Sequence, residues 1–320
     1  MLQNGRWAED WQPIQSSDKA GRFIRQGSSF RNWITPDGAP GPEGQPALVA
    51  EPGRYQLIVG YICPWASRTL MARALKGLEA VIDVTVIKPK LTEQGWQIGE
   101  YPNSEMADIL LNAKYLHELY SHCDPEYSGR ATIPILWDKQ NRCIVNNESA
   151  DILRILDEGF GDLARHKQPL QPPALREEIH ILNQELYDGL NNGVYKAGFA
   201  STQFAYQEAC NQIFNLLDAL ESRLQDQRPY LLGQELTESD IRAFVTLIRF
   251  DAAYVGIFKT NRKRIADYPN LFAYTRRILD LPGIRETVNI DHIKAGYYSI
   301  KSLNPSGIVP EGPDLSAMGL

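Results

Sequence analysis

The sequence has few cysteines, no excess of basic charge and no long apolar run. Its 320 residues contain four cysteines, and 33 Lys and Arg against 39 Asp and Glu give a formal net charge of −6. An acidic balance argues against nucleic acid as a partner, because nucleic acid binding needs a basic surface. No apolar run approaches the roughly 18 residues of a membrane span. The first residues, MLQNGRWAEDWQP, lack the basic start and apolar core of a signal peptide. These absences predict a cytoplasmic protein that binds neither nucleic acid nor membranes.

The spacing of the cysteines excludes the usual metal motifs. There is no C-x-x-C, because Ala66 stands where a second cysteine would follow Cys63. Sparse cysteines suit a reducing compartment, and no metal cofactor is expected. The other three cysteines are expected to be buried and to pack as small apolar side chains: Cys123, Cys143 and Cys210.

Cys63 differs from them because it lies where a strand pattern meets a helix pattern. The β-prone run YQLIVGY precedes it, and Pro64 and a helical pattern from Trp65 to Lys76 follow. Proline is favoured at the first helical position, so Cys63 is expected at the N-terminal end of this helix. Free N–H groups and the helix dipole stabilise a thiolate there, and the thiolate is the nucleophile. Arg68, one turn into the helix, can add positive charge. A buried, unreactive thiol is the alternative.

The order of predicted elements around Cys63 is that of a thioredoxin-like domain. A second strand is expected at 82–87, a helix from about Met106 to Ser121, two close strands at 132–138 and 142–146, and a helix at 148–157. A crossover gives a parallel strand pair and a tight turn gives an antiparallel hairpin. The order βαβ followed by αββα therefore predicts this fold class.

The rest of the chain divides into three parts. Residues 1 to 52 are rich in Gly and Pro and predict an irregular extension, in which 35–46 is an extended loop. After a Pro-rich stretch the pattern is helical to about Arg285. Within it, Thr237 to Asp240 (TESD) has the form of a helix-capping box. The last 30 residues are again rich in Pro and Gly and predict a tail.

Two further sites, with Cys63, describe a pocket for a small peptide. Pro134 at the start of a strand favours a cis bond after Ile133, which would present the Ile133 backbone to a peptide ligand. Glu148 and Ser149 begin a helix, where Ser149 can bond a carboxylate and Glu148 an ammonium group. An ordinary helix cap is the alternative for this pair. A zwitterionic peptide with a thiol fits all three sites, and glutathione is such a peptide.

Longer stretches resemble one known family. They include ICPWASRTL, DPEYSGRATIPILWD, IVNNES, TLIRFDAAYVGIFKTN and NPSGIVPEGP. In this order they resemble the glutathionyl-hydroquinone reductases, the Xi class of the glutathione transferase superfamily, over nearly the whole chain. The resemblance implies an N-terminal extension at 1–52, a thioredoxin-like glutathione-binding domain at 53–160, a helical glutathione-transferase domain at 161–290, and a tail at 291–320 over the active site. It also implies a homodimer.

The same resemblance implies an activity and its residues. The expected reaction is glutathione-dependent reduction of glutathionyl-hydroquinones through a mixed disulfide on Cys63. Besides Cys63, the glutathione-binding residues would be Trp96, Arg130, Ile133, Pro134, Glu148 and Ser149. The hydroquinone-binding residues would be Tyr195, Tyr254, Tyr297 and Tyr298, of which Tyr195 and Tyr297 are also expected to be catalytic.

Three positions depart from the family pattern. Ser67, Gly296 and Ile300 stand where the family usually has histidine, so the shape of the second site and the choice of substrate are expected to change. Two other functions stay open: a broader cysteine-type thiol transferase or dehydroascorbate reductase, and a non-catalytic glutathione-binding scaffold. A reactive cysteine favours thiol exchange over conjugation, and a scaffold has no need of one.

Overall fold

The computed structural model describes residues 1–8, 17–104 and 111–320. The contacts between residues divide the chain into two compact units. The first contains the described residues of 1–13 and 26–168, and the second contains those of 14–25 and 169–320. The predicted extension at 1–52 thus contributes to both units. The four-part division of the chain stays a prediction.

The first unit is built on a four-stranded mixed sheet. Its strands are β5 (Tyr55–Val59), β6 (Asp83–Val86), β7 (Ile135–Asp138) and β8 (Cys143–Asn146), after the short strands β1 (Leu2–Gln3), β2 (Arg6–Trp7), β3 (Trp33–Thr35) and β4 (Ala47–Val49). The order is β6–β5–β7–β8. Strand β5 pairs in parallel with β6, with Leu57 opposite Val84, and antiparallel with β7, with Leu57 opposite Leu136. This order confirms the predicted thioredoxin-like arrangement.

Helices α1 (Pro64–Leu75), α2 (Leu116–Cys123) and α3 (Ser149–Arg154) complete the first unit. Every residue of β5 is buried, as expected of a central strand covered on both faces. Lys76 is the C-cap residue of α1, and its buried ammonium lies 2.9 Å from the Asp157 carboxylate in the π-helical turn after α3. This buried ion pair fixes α1 against the end of α3.

Two predicted elements differ from the observed ones. Of the helix predicted from about Met106 to Ser121, residues 106–110 lie outside the described residues, and α2 begins only at Leu116. The extended loop at 35–46 is irregular, as predicted, but the chain at its two ends pairs in parallel as β3 and β4. The hydrogen bonds of that pairing join residues that local sequence patterns do not connect.

The second unit is helical. Its helices are α4 (Arg176–Leu186), α5 (Gly193–Gly198), α6 (Gln203–Arg223), α7 (Glu238–Arg249), α8 (Val255–Ile257), α9 (Pro269–Leu279) and α10 (Ile290–Tyr297). Helix α7 starts with the predicted capping box between Thr237 and Asp240, which is confirmed. Two π-helical turns, Tyr187–Asn191 and Phe250–Tyr254, interrupt the helical run. Within the described part of the chain, no helix combines the length and apolar character needed to cross a membrane.

Candidate active site

Cys63 is the N-cap residue of α1, and Pro64 occupies the first helical turn. Its extended backbone (φ −83°, ψ 117°) places the side chain at the end of the helix where N–H groups are free of intrahelical bonds. The thiol is half-buried. A sulfur in this position is accessible and lies in the positive field of a helix N-terminus, as predicted.

The Cys63 sulfur lies beside the backbone of Ile133. Its Sγ donates to the Ile133 carbonyl at 3.6 Å, and the Ile133–Pro134 peptide bond is cis, as predicted. No bond to the Ile133 N–H is found among the residues that the structure describes. This stretch of backbone therefore has a donor available to a ligand close to the thiol.

Glu148 and Ser149 form the N-terminal end of α3. Glu148 is the N-cap, and its Oε1 accepts the Ala150 N–H at 3.1 Å. Its other oxygen, Oε2, accepts the Ser28 hydroxyl at 2.9 Å. Ser149 is buried, and its Oγ lies 3.5 Å from Nη1 of Arg68. A carboxylate, a hydroxyl and a guanidinium thus meet at one helix end, which suits a group with both an ammonium and a carboxylate.

Trp96 and Arg130 come together around a small pocket. Trp7, from the N-terminal hairpin β1–β2, lines the same pocket, as does His117 of α2. The Trp7 and His117 rings stack with centroids 4.5 Å apart. Burial lowers the pKa of His117 below its ordinary value, so the cation at this pocket near neutral pH is Arg130.

In the second unit, three tyrosine hydroxyls form a chain of hydrogen bonds. The Tyr297 hydroxyl lies 2.7 Å from that of Tyr195 and 2.9 Å from that of Tyr254. Tyr254 ends a π-helical turn, a feature often found at functional sites, and Tyr297 ends α10. The structure brings together residues that are 43 and 102 positions apart in sequence.

The members of this tyrosine cluster (Tyr195, Tyr254 and Tyr297) differ in exposure. Tyr254 is fully buried and Tyr297 is 2% exposed, whereas Tyr195 is half-buried. Burial holds the pKa of Tyr254 and of Tyr297 well above the ordinary tyrosine value. Both are therefore neutral hydroxyls at physiological pH, able to donate hydrogen bonds.

Tyr298 takes no part in this hydrogen-bond chain. Its hydroxyl lies against Gly256 of α8, so closely that a Cβ on that glycine would be 2.3 Å from the hydroxyl oxygen. The side chain is 9% exposed, and burial raises the pKa of Tyr298. Its place in the structure is that of a packed side chain beside the cluster.

Comparison with known proteins identifies the family. The model of the glutathione S-transferase N-terminal domain matches residues 62–158, and the model of the C-terminal domain matches residues 203–277. The glutathionyl-hydroquinone reductase YqjG of Escherichia coli is 48% identical over 98% of this chain and 95% of its own. The glutathionyl-hydroquinone reductase PcpF of Sphingobium chlorophenolicum is 44% identical over 100% of this chain and 98% of its own.

Solved structures agree with the sequence relatives. The glutathione-bound structure of E. coli YqjG has a TM-score of 0.88 at 46% identity, covering 98% of this chain and 95% of its own. A Xi-class glutathione transferase of Natrialba magadii has a TM-score of 0.89 at 40% identity, covering 98% and 94%. The chain belongs to the Xi class of glutathione transferases. Both parts of this Xi-class protein, the thioredoxin-like one and the helical one, therefore match the domains of its family.

The three departures from the class pattern occupy different environments. Ser67 is 2% exposed in the first turn of α1, where its N–H donates to the Cys63 carbonyl at 3.0 Å. Gly296 is buried near the end of α10, and Ile300 is half-buried just beyond it. Both flank the stretch that carries Tyr297.

Two residues near these sites were not predicted as site residues. Ser28 binds Glu148 from 120 positions away, and Trp7 enters the pocket of Trp96. Arg68, predicted to add positive charge near Cys63, is buried and contacts Ser149. Ser28 and Trp7 lie in the N-terminal segment that was predicted to be irregular, because its sequence carries no periodic signal.

Proposed function

We propose that this Xi-class glutathione transferase is a glutathionyl-hydroquinone reductase that forms a mixed disulfide between Cys63 and glutathione. The observation that carries the proposal is the half-buried Cys63 thiol at the N-cap of α1, 3.6 Å from the Ile133 carbonyl. A thiolate is favoured at that position, and thiolates exchange with sulfur substrates. The names of the relatives in E. coli and S. chlorophenolicum support the same reaction.

In this proposal the first unit binds glutathione as co-substrate. Glu148 pairs with the γ-glutamyl ammonium, and Ser149 bonds the neighbouring carboxylate at the N-terminus of α3. The backbone of Ile133, beside Pro134, pairs with the cysteinyl part of the peptide. Trp96 covers the peptide, and Arg130 attracts a carboxylate. The glutathione-bound structure of E. coli YqjG supports glutathione as the ligand.

The first half-reaction releases the hydroquinone. The ring takes its keto form, in which the carbon that bears sulfur also bears a hydrogen. The Cys63 thiolate attacks the glutathione sulfur, an S–S bond forms and the C–S bond breaks. The C–S electron pair passes into the ring carbonyl, and the resulting hydroquinone oxygen takes a proton. Tyrosine hydroxyls at that oxygen promote the keto form and supply the proton, which is the proposed role of Tyr195 and Tyr297.

The second half-reaction regenerates the enzyme. The thiolate of a second glutathione attacks the glutathione sulfur of the mixed disulfide, and the Cys63 thiolate leaves. Oxidised glutathione is the product, so two glutathione moieties are oxidised for each hydroquinone released. No metal takes part in this scheme. Tyr254 and Tyr298 are proposed to shape the hydroquinone site rather than to transfer the proton.

A broader thiol transferase is the second candidate function. A relative 42% identical over 95% of this chain, from Schizosaccharomyces pombe, is named glutathione S-transferase omega-like 2. Steady-state turnover separates the two functions when glutathionyl-hydroquinone, a glutathione mixed disulfide and dehydroascorbate are compared. We expect the highest kcat/KM for glutathionyl-hydroquinone. A higher value for either other substrate would favour the thiol transferase, and no turnover of any would favour a binding scaffold.

We also propose that the protein works in the cytoplasm as a homodimer. The sparse cysteines suit a reducing compartment, and the class resemblance implies a dimer. Light scattering on a sizing column should give twice the 36.1 kDa of one chain. A mass of one chain at micromolar concentration would contradict the dimer, and secretion of a tagged chain would contradict the compartment.

A further inference from the structure

A segment from the N-terminal part of the chain, Ser17–Arg25, lies in the helical unit beside the tyrosine cluster. The Gly21 carbonyl accepts the Ser201 N–H at 3.1 Å. The Phe23 ring stacks on that of Phe199, with centroids 5.6 Å apart. Since Phe199 also stacks on Tyr195, with centroids 6.3 Å apart, the segment is joined to the cluster through aromatic contacts.

Arg25, at the end of this segment, lies over the ring of Tyr195. The guanidinium carbon is 4.7 Å from the ring centroid, and Nε donates to Oδ1 of Asn192 at 2.8 Å. Asn192 is 5% exposed and is the N-cap residue of α5, the helix that carries Tyr195. The Arg25 guanidinium and the Tyr195 ring are thus both held at the N-terminal end of α5. A cation over an aromatic face is attracted to it, and a positive charge stabilises a phenolate over a phenol.

Tyr195 is also the member of the cluster that a ligand can reach without rearrangement. It is half-buried, whereas Tyr254 and Tyr297 are at most 2% exposed. The hydrogen bonds at 2.9 Å and 2.7 Å allow Tyr254 to donate to Tyr297 and Tyr297 to donate to Tyr195. The Tyr297 proton then points toward the Tyr195 oxygen, and the Tyr254 proton supports it by pointing toward the Tyr297 oxygen. Together with Arg25 they stabilise negative charge on the Tyr195 oxygen.

We propose that Tyr195 is the proton donor to the hydroquinone oxygen and that Arg25 is a positioning residue that makes it one. This inference rests on the proposed reductase function. When the C–S bond breaks, the Tyr195 O–H gives its proton to the hydroquinone oxygen and becomes a phenolate. The guanidinium of Arg25 and the hydroxyl of Tyr297 stabilise that phenolate. The thiol proton of the second glutathione then restores the Tyr195 hydroxyl and leaves the thiolate that attacks the mixed disulfide.

Two substrates separate this role from a structural one. The mixed disulfide of glutathione and 2-mercaptoethanol reacts at Cys63 but releases no hydroquinone oxygen. For Arg25→Gln and for the apolar variant Arg25→Met, we expect kcat with glutathionyl-hydroquinone to fall about tenfold or more, since general acid catalysis contributes a hundredfold or more. We expect kcat with the mixed disulfide, and KM for glutathione, to stay within about twofold. Arg25→Lys keeps the charge and should recover most of the loss.

Arg22 supplies a matched control from the same segment. It is exposed and pairs with Glu208 at 2.6 Å rather than with a tyrosine of the cluster. Arg22→Gln removes the same charge from the segment, and we expect both substrates to react at the wild-type rate. Thermal unfolding of each variant checks that it is folded.

The outcomes distinguish the inference from the function on which it rests. If Arg25→Gln and Arg25→Met turn over glutathionyl-hydroquinone at the wild-type rate, the inference is wrong and the proposed function stands. Equal slowing of both substrates would make Arg25 structural, which also overturns it. A wild-type protein that reduces the mixed disulfide but not glutathionyl-hydroquinone would overturn the proposed function itself.

Discussion

Cys63 differs from the other cysteines in position rather than in type. It caps α1 beside the Ile133 carbonyl, whereas burial raises the pKa of the Cys123 thiol to about 11. The Cys123 sulfur instead accepts the Ile144 N–H at 3.2 Å within the fold. The sequence predicted this difference, because Pro64 marks the helix start and no comparable signal surrounds Cys123.

Replacing Cys63 by serine should abolish the reaction. A serine hydroxyl is not ionised near neutral pH and forms no disulfide, so we expect turnover to fall by roughly a thousandfold or more. Steady-state release of hydroquinone measures the loss. Cys123→Ser is the control and should retain activity. Retained activity in Cys63→Ser would contradict the mechanism.

Replacing Tyr297 by phenylalanine should affect chemistry more than Tyr254→Phe does. The Tyr297 hydroxyl bonds both of its neighbours, so its loss removes the hydrogen bond to Tyr195, whereas the loss of the Tyr254 hydroxyl leaves the Tyr195–Tyr297 bond in place. We expect kcat to fall about tenfold to a hundredfold for Tyr297→Phe. Glutathione affinity, measured by calorimetry, should be unchanged. An equal loss in kcat and affinity would refute this division of roles.

At the scale of elements, the capping box of α7 is the clearest stabilising motif. Asp240 accepts from the N–H groups of Leu231 and Thr237 at 2.9 and 2.8 Å and from the Tyr274 hydroxyl at 2.8 Å. All of these groups are removed from water, since Asp240 is fully buried. Removing the carboxylate leaves several buried donors without an acceptor, which is costly.

We therefore expect Asp240→Ala to lower the free energy of unfolding by about 2–4 kcal/mol. Asp267 makes a comparable bond, 2.8 Å from the Arg264 N–H, but its side chain is 40% exposed. Asp267→Ala is thus the matched control and should cost less than about 1 kcal/mol. Urea denaturation measures both. Equal losses would mean that burial does not set the strength of the capping box.

Local patterns predicted elements well where periodicity and caps agree. The strands of the main sheet and the starts of α1 and α7 were predicted to within a few residues. The π-helical turn Phe250–Tyr254 was not predicted. Its i→i+5 hydrogen bonds depend on packing around Tyr254 rather than on local helix propensity. The pairing of Ser28 with Glu148 was missed for a similar reason. Contacts across 120 residues have no local signal.

At the scale of the molecule, buried tyrosines predict how stability depends on pH. Burial raises the pKa of Tyr254, Tyr274 and Tyr297 well above the ordinary tyrosine value of about 10. Above that pH the unfolded chain gives up phenol protons that the folded protein keeps. The folded protein then binds more protons, so its stability falls as pH rises.

The free energy of unfolding should thus decrease from pH 9 to pH 11. Urea denaturation at several pH values measures it, and tyrosinate absorbance should appear for these residues only on unfolding. Constant stability over this range, with all tyrosines ionising in the folded protein, would contradict the burial of their hydroxyls.

The sequence predicted the division into a thioredoxin-like and a helical part more readily than it predicted where the N-terminal segment packs. A switch from β-prone runs to helical periodicity predicted a thioredoxin-like part and a helical part. The assignment of residues 17–25 to the helical unit had no such signal, because it depends on side-chain contacts such as that of Arg25 with Asn192. The role proposed for the tyrosine cluster likewise rests on family resemblance and not on periodicity.

Intact-protein mass spectrometry tests the central proposal most directly. The protein is mixed with one equivalent of a glutathionyl-hydroquinone in the absence of free glutathione, so only the first half-reaction can occur. The account predicts one glutathione adduct that maps to Cys63, together with free hydroquinone. Unmodified protein with intact substrate, or an adduct on Cys123, Cys143 or Cys210, would contradict it.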